Sequence, residues 1–142
     1  LGAQDCHYEE NGAYTGESSI KLLKSFKCKY VIIGHSERRE SNAETNSIIS
    51  KKIEIACKNN IKPIICIGES IVLRKNGKYL DFLETQLNEC VPSMREAIIA
   101  YEPIWSIGSG LVPTSKEILE VNKFVKKYLI ENKKIKKVSF LG

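Results

Sequence analysis

The chain has 142 residues and a formal net charge of +5, which is enough sequence for one domain with its own core. The basic excess lies largely on one late segment (Lys123, Lys126, Lys127, Lys133, Lys134, Lys136, Lys137) with no interleaved aromatic platform, so it reads as a solvated helix face and not as a nucleic-acid surface. No apolar run approaches the length of a membrane span. Five cysteines at irregular spacing, with no C-x-x-C and no leader-like segment, argue for reduced thiols in a cytoplasmic protein without a metal site.

Both ends look cut. Leu1-Gly2-Ala3-Gln4 reads like the end of a buried strand, and Val138-Ser139-Phe140-Leu141-Gly142 like a strand whose turn is still to come. The expectation is an internal piece of a longer protein, with residues 1–142 forming a single partial domain and no second one. A short helix is expected from about Ser19 to Phe26.

Four β-rich runs follow: Tyr30 to Gly34, Ile61 to Gly68, Ala97 to Glu102 and Val138 to Gly142. Their last residues recur at intervals of 34 to 40, and an amphipathic segment fills each gap. In the first gap Ile49, Ile53, Ala56 and Cys57 share a helical face opposite lysines and glutamates. In the second, Leu80, Leu83, Leu87 and Val91 do so after the Asn76-Gly77 break. In the third, Ile118, Val121, Val125 and Leu129 repeat the pattern, and Thr114 with Glu117 has the spacing of a capping box.

Alternation of strand and helix calls for a parallel sheet. Two α/β architectures fit, an open doubly wound sheet or a (β/α)₈ barrel. A dinucleotide fold wants a glycine-rich turn directly after a strand, and Gly108-Ser109-Gly110 comes too late and lacks a third glycine. The barrel is the better fit, with roughly its central half present.

In such a sheet, a polar residue at the carboxyl end of a strand faces the pocket. Two runs end this way: Ile32-Ile33-Gly34-His35-Ser36-Glu37-Arg38-Arg39, and Ala100-Tyr101-Glu102-Pro103-Ile104-Trp105. Pro103 drives Glu102 to an extended backbone, which makes Glu102 the last strand residue and a candidate base. His35 precedes what reads as a helical turn, whose amino end disfavours a second positive charge beside it. A neutral imidazole there can polarise a carbonyl. The segment from Pro103 to Pro113 has stiff ends and a glycine-containing centre, which suits a lid whose Gly108 N–H can hold a phosphate. Cys66 reads as a packed thiol, and Glu69 as a polar partner for the Trp105 indole.

These stretches, with Leu1-Gly2-Ala3-Gln4, Asn11-Gly12-Ala13-Tyr14-Thr15-Gly16-Glu17 and Cys66-Ile67-Gly68-Glu69, resemble the triosephosphate isomerase family in order and spacing across the whole chain. The resemblance implies a TIM barrel that interconverts dihydroxyacetone phosphate and glyceraldehyde 3-phosphate with no metal or organic cofactor. It makes Glu102 the base, His35 the neutral electrophile and Gly108 the lid amide on the substrate phosphate. Ser36 and Glu37 become supports around His35, and Glu69 holds Trp105 while the lid is open. The loop from Asp5 to Ser18 is similar to the family's dimer loop, so Tyr14 and Thr15 are expected to reach a partner subunit of a homodimer, with Glu17 pairing to Arg38 at the loop base.

The chain departs from the family pattern in places. The first-strand asparagine and lysine and the last phosphate loops have no counterpart in these residues, Leu141 stands where a tyrosine helps latch the lid, the second hinge reads Leu111-Val112-Pro113, and Ser109 replaces a threonine. Two other readings stay open: a non-catalytic fragment of such an enzyme, inactive by itself, and a different phosphate-handling barrel such as an aldolase or lyase. The last wants a Schiff-base lysine at a strand end, and none of the complete strands has one.

Overall fold

The computed structural model describes all residues, 1–142. Five strands, β1 (Gly2–Ala3), β2 (Tyr30–Ile33), β3 (Lys62–Ile67), β4 (Glu96–Tyr101) and β5 (Lys137–Leu141), form one sheet in chain order. Every pairing is parallel, with Ile33 opposite Ile65 and Ile67 opposite Tyr101. Between them run α1 (Ile20–Ser25), α2 (Ser36–Ser41), α3 (Asn46–Lys58), α4 (Ile71–Lys75), α5 (Tyr79–Cys90) and α6 (Ser115–Lys133).

Four of the six helices start where the sequence supplies a side-chain oxygen. Ser19, Thr45, Ser70 and Thr114 cap α1, α3, α4 and α6 by accepting a backbone N–H of the first turn. At Thr114 the reciprocal contact is present as well, with the Glu117 carboxylate 2.8 Å from the Thr114 N–H.

Successive strand side chains point to opposite faces. One face carries Val31, Ile33, Ile65, Ile67, Ala97, Ile99 and Tyr101, all buried in a core completed by Ile49, Ile53 and Ala56 of α3, Leu83 and Leu87 of α5, and Val121, Val125 and Leu129 of α6. Each fully buried aliphatic side chain contributes about 1.5–3 kcal/mol, so this layer holds the helices to the sheet. The other face, with Ile32, Ile64 and Ile98, is only half-buried. Helices on one side of a parallel sheet and a second apolar side turned away from them describe a sector of an α/β barrel wall.

Two local expectations need correction. The strand ends fall one residue early: β4 stops at Tyr101, although the Glu102 N–H still donates to the Ile67 carbonyl at 2.9 Å. And the polar side of α3 is not wholly solvated. Lys52 is only 3 % exposed, because its ammonium lies between Asp5 (2.9 Å) and Glu44 (2.7 Å). No helix is long and apolar enough to cross a membrane.

Candidate active site

His35 and Glu102 leave the carboxyl ends of β2 and β4, two strands separated by β3. They nevertheless meet: His35 Nε2 lies 3.1 Å from Glu102 Oε2. His35 is the N-cap of α2, and its Nδ1 accepts the Glu37 N–H at 3.3 Å. A backbone N–H can only donate, so Nδ1 carries no proton and the neutral ring holds its proton on Nε2, aimed at the carboxylate.

Ser36 contributes differently from what the sequence suggested. It grips Glu102 instead of the imidazole, with its N–H 3.0 Å from Oε1 and its hydroxyl 3.2 Å from Oε2. Glu37 supports His35 through its backbone, while its own side chain is 81 % exposed, with a carboxylate oxygen 3.9 Å from Nδ1.

Gly68, directly after β3, is what lets Glu102 come so close. A Cβ at Gly68 would stand 1.8 Å from the Glu102 carbonyl oxygen, so no side chain fits there. Gln86 of α5 holds the Gly68 N–H at 3.1 Å. Cys66 lies just beneath; burial, with Glu102 beside it, pushes its thiol up to about 12, so it is an inert thiol at neutral pH.

After Glu102 the chain makes a 3₁₀ turn over Ile104–Ser106 that carries Trp105. The indole N–H donates to Glu69 Oε1 at 2.9 Å. That same fully buried oxygen accepts from the Tyr101 hydroxyl at 3.0 Å and from Arg74 Nε at 2.9 Å. The Arg74 guanidinium lies 3.9 Å over the Tyr79 ring. Burial and then the charge on Glu69 push the Tyr101 phenol well above its ordinary value.

Farther along this segment, Gly108 (φ +67°) and Gly110 (φ +76°) turn an exposed stretch. The N–H groups of Gly108, Ser109 and Gly110 make no hydrogen bond within the chain. Gly108 is not brought to the His35–Glu102 pair: nothing lies within 4 Å of where its Cβ would be.

A cavity of about 310 Å³ opens beside His35, lined by Gln4, Asp5, Ile32, His35, Glu37 and Arg38. A hollow of about 450 Å³ lies at the opposite ends of β3 and β4, near Lys62, Pro63, Arg95 and Glu96, with neither His35 nor Glu102 in its wall. The 310 Å³ cavity is the one with chemistry beside it.

The loop from Asp5 to Ser18 packs on itself. The Tyr14 ring stacks on His7 of its own chain at 3.9 Å, Thr15 is exposed, and Glu17 Oε1 lies 3.9 Å from Arg38 Nη2. Arg38 also pairs with Asp5 (3.0 Å) and Glu44 (2.7 Å). Nothing in the sequence singled out Asp5, Glu44, Lys52, Gln86, Arg39 or Arg74. Some of their partners lie in other βα units, as Asp5 does for Lys52 and the Cys66 carbonyl for Arg39, and the nearer ones, Arg38 for Glu44 and Glu69 for Arg74, sit at no spacing that announces a contact. All five cysteines are free, and no group of three or more His, Cys, Asp or Glu side chains is placed to hold a metal ion.

Fold and site together define a barrel-type α/β domain of the kind that places its polar pair at the carboxyl ends of the strands. A triosephosphate isomerase family profile matches residues 1–141, and the chain belongs to that family. It is 46 % identical over 138 residues to triosephosphate isomerase of Alkaliphilus oremlandii, covering 94 % of this chain and 55 % of that one. Against the Aquifex aeolicus enzyme identity is 43 % over 130 residues, covering 89 % and 53 %. The crystal structure of triosephosphate isomerase from Bartonella henselae superposes with a TM-score of 0.86 at 35 % identity, over 99 % of this chain and 60 % of that one. The chain thus spans about half the length of the relatives it matches.

Proposed function

We propose that residues 1–142 supply the proton-transfer centre of a barrel that interconverts dihydroxyacetone phosphate and D-glyceraldehyde 3-phosphate. The observation that carries this reading is the 3.1 Å approach of His35 Nε2 to Glu102 Oε2 from two different strands. A carboxylate and a protonated imidazole nitrogen at one point are what an aldose–ketose shift needs. The carboxylate takes a proton from the carbon beside the carbonyl and delivers one, exchangeable with solvent while it rests on the carboxyl group, to the neighbouring carbon, while the imidazole N–H stabilises the enediolate oxygen.

Without substrate, Glu102 rests on Ser36 and His35. Substrate entry between the pair replaces those contacts, and the carboxylate turns toward the substrate carbon. Trp105 on Glu69 describes an open lid; closing it brings the free N–H groups around Gly108 to the phosphate and excludes water, which strengthens every charge interaction inside. The exposed Tyr14–Thr15 tip and Glu17 form the dimer loop in this proposal, and the setting is cytoplasmic. No step calls for a metal or organic cofactor.

The same geometry gives the second reading for these residues by themselves. The sheet has two open edges, β1 and β5, and an unpaired edge invites association with other chains. Residues 1–142 alone are therefore expected to be inert, with no turnover above a Glu102→Ala control in a coupled assay. The test of the main proposal is a chimera in which the remaining strands of the Alkaliphilus relative flank residues 1–142. It should isomerise triose phosphate, and Glu102→Gln and His35→Gln should each remove most of the activity. A folded chimera with no activity contradicts the proposal.

A further inference from the structure

The backbone ladder between β2 and β3 ends with Ile33 opposite Ile65, one residue before Gly34 and two before His35. The turn that presents the imidazole therefore begins where sheet hydrogen bonding has stopped. Arg39 fills that gap. Its Nε donates to the Gly34 carbonyl at 2.7 Å, and its Nη2 to the Cys66 carbonyl on β3 at 3.2 Å. One guanidinium thus joins the strand that bears His35 to the strand that separates it from Glu102.

The guanidinium is itself held in place. Nη1 donates to Asn46 Oδ1 at 2.7 Å, and Asn46 Nδ2 donates to Glu89 of α5 at 2.7 Å. Gly34 is shaped to receive it: the backbone is left-handed there (φ +81°), and a Cβ would stand 3.1 Å from Nη2 and 3.3 Å from the Cys66 carbonyl oxygen. Arg38 and Arg74 each pair with carboxylates, whereas no carboxylate oxygen lies within 4.0 Å of Arg39. An arginine on strand-end carbonyls with no direct counter-ion is spending its planar fork on geometry.

We propose that Arg39 is a positioning residue for His35: its guanidinium extends the β2–β3 ladder beyond the last backbone rung and fixes the turn that aims Nε2 at Glu102. The inference rests on the isomerase reading only for what the imidazole does once aimed. The aiming itself is read without turnover.

The experiment is a long-range proton–nitrogen correlation of uniformly ¹⁵N-labelled chain, recorded with its backbone amide spectrum, with His7, the only other histidine, as internal control. Wild type should show His35 with a bare Nδ1 and a protonated Nε2 as separate resonances. In Arg39→Lys, which keeps the charge and loses the fork, the two nitrogens should move toward a common averaged position, and the Ser36 amide signal should shift with them. Asn46→Ala leaves Arg39 intact but unbraced and should move them in the same direction by less; it carries the test should Arg39→Lys fail to fold. His7 should stay put in both. Folded variants with an unchanged His35 pattern overturn the proposal.

In the completed barrel Arg39→Lys should lower kcat about 10–10²-fold with KM little changed. An inert completed barrel whose imidazole still responds to Arg39→Lys would sink the isomerase reading and keep this one. An active barrel whose imidazole ignores Arg39 does the reverse.

Discussion

Gly68→Ala is the sharpest perturbation the site offers, since a single methyl group meets the backbone of the proposed base. Its Cβ would stand 1.8 Å from the Glu102 carbonyl oxygen and 2.9 Å from its carbon, whereas side-chain Cβ atoms essentially never approach closer than 3.0 Å. The Glu102 backbone must therefore retreat by about 1 Å, against its own N–H bond to Ile67 at 2.9 Å and the stiff Pro103 that follows. Overpacking costs about 1–3 kcal/mol where side chains can yield. Here the obstacle is main chain, which places the change at about 3 kcal/mol, or a fall in Tm of roughly 6–12 °C.

Thermal unfolding followed by circular dichroism reads the stability, and the Ser36 amide signal, which reports its bond to Glu102, reads the displacement. In the completed barrel the same 1 Å shift should lower kcat about 10²-fold. A Tm within about 1 °C of wild type, with the Ser36 amide unmoved, would refute the reasoning.

Glu69→Ala removes both the charge that holds Arg74 and the oxygen shared by Tyr101 and Trp105. Breaking a buried pair costs about 3–5 kcal/mol, and the emission of Trp105, the only tryptophan, should shift to the red as the lid loses its anchor; unchanged emission would contradict the assignment. Under native alkylation at neutral pH, half-buried Cys28 and Cys57 should react before the buried Cys6, Cys66 and Cys90, which mass mapping can order, and early labelling of Cys66 would contradict its burial beside Glu102. Acid should act oppositely on two carboxylates of the Lys52 cluster. Burial alone would raise Glu44, but Lys52 and Arg38 outweigh it and its folded value lies below the ordinary 4.5; its stabilisation is full above that value and lost as pH falls through the folded one. Asp5 is raised above 3.8, chiefly by burial, so its ionisation works against the fold and acid relieves it. Melting from about pH 5 down to about pH 3 should show Glu44→Gln flattening the acid decline and Asp5→Asn not; the reverse pattern would refute the ordering.

The sequence reveals the strands because each is an apolar run that ends in glycine or a charge, and it reveals the start of α6 because Thr114 and Glu117 meet across three residues. The His35–Glu102 convergence is legible once strand ends are taken to face one pocket. What stays hidden is polar and long-range. Lys52 looks like a solvated lysine until Asp5, 47 residues away, folds onto it, and Arg39 looks like one more surface arginine until the Cys66 carbonyl, 27 residues away, is in place. Ser36 illustrates the finer limit, because sequence places it beside His35 while only backbone direction shows that it holds Glu102.

The most direct measurement is the fate of a proton. Dihydroxyacetone phosphate incubated in deuterium oxide with the completed barrel should gain deuterium at the carbon beside its carbonyl as the aldose forms, and Glu102→Gln should abolish both processes together. Exchange that persists in Glu102→Gln, or isomerisation without any uptake of solvent deuterium, would contradict the account.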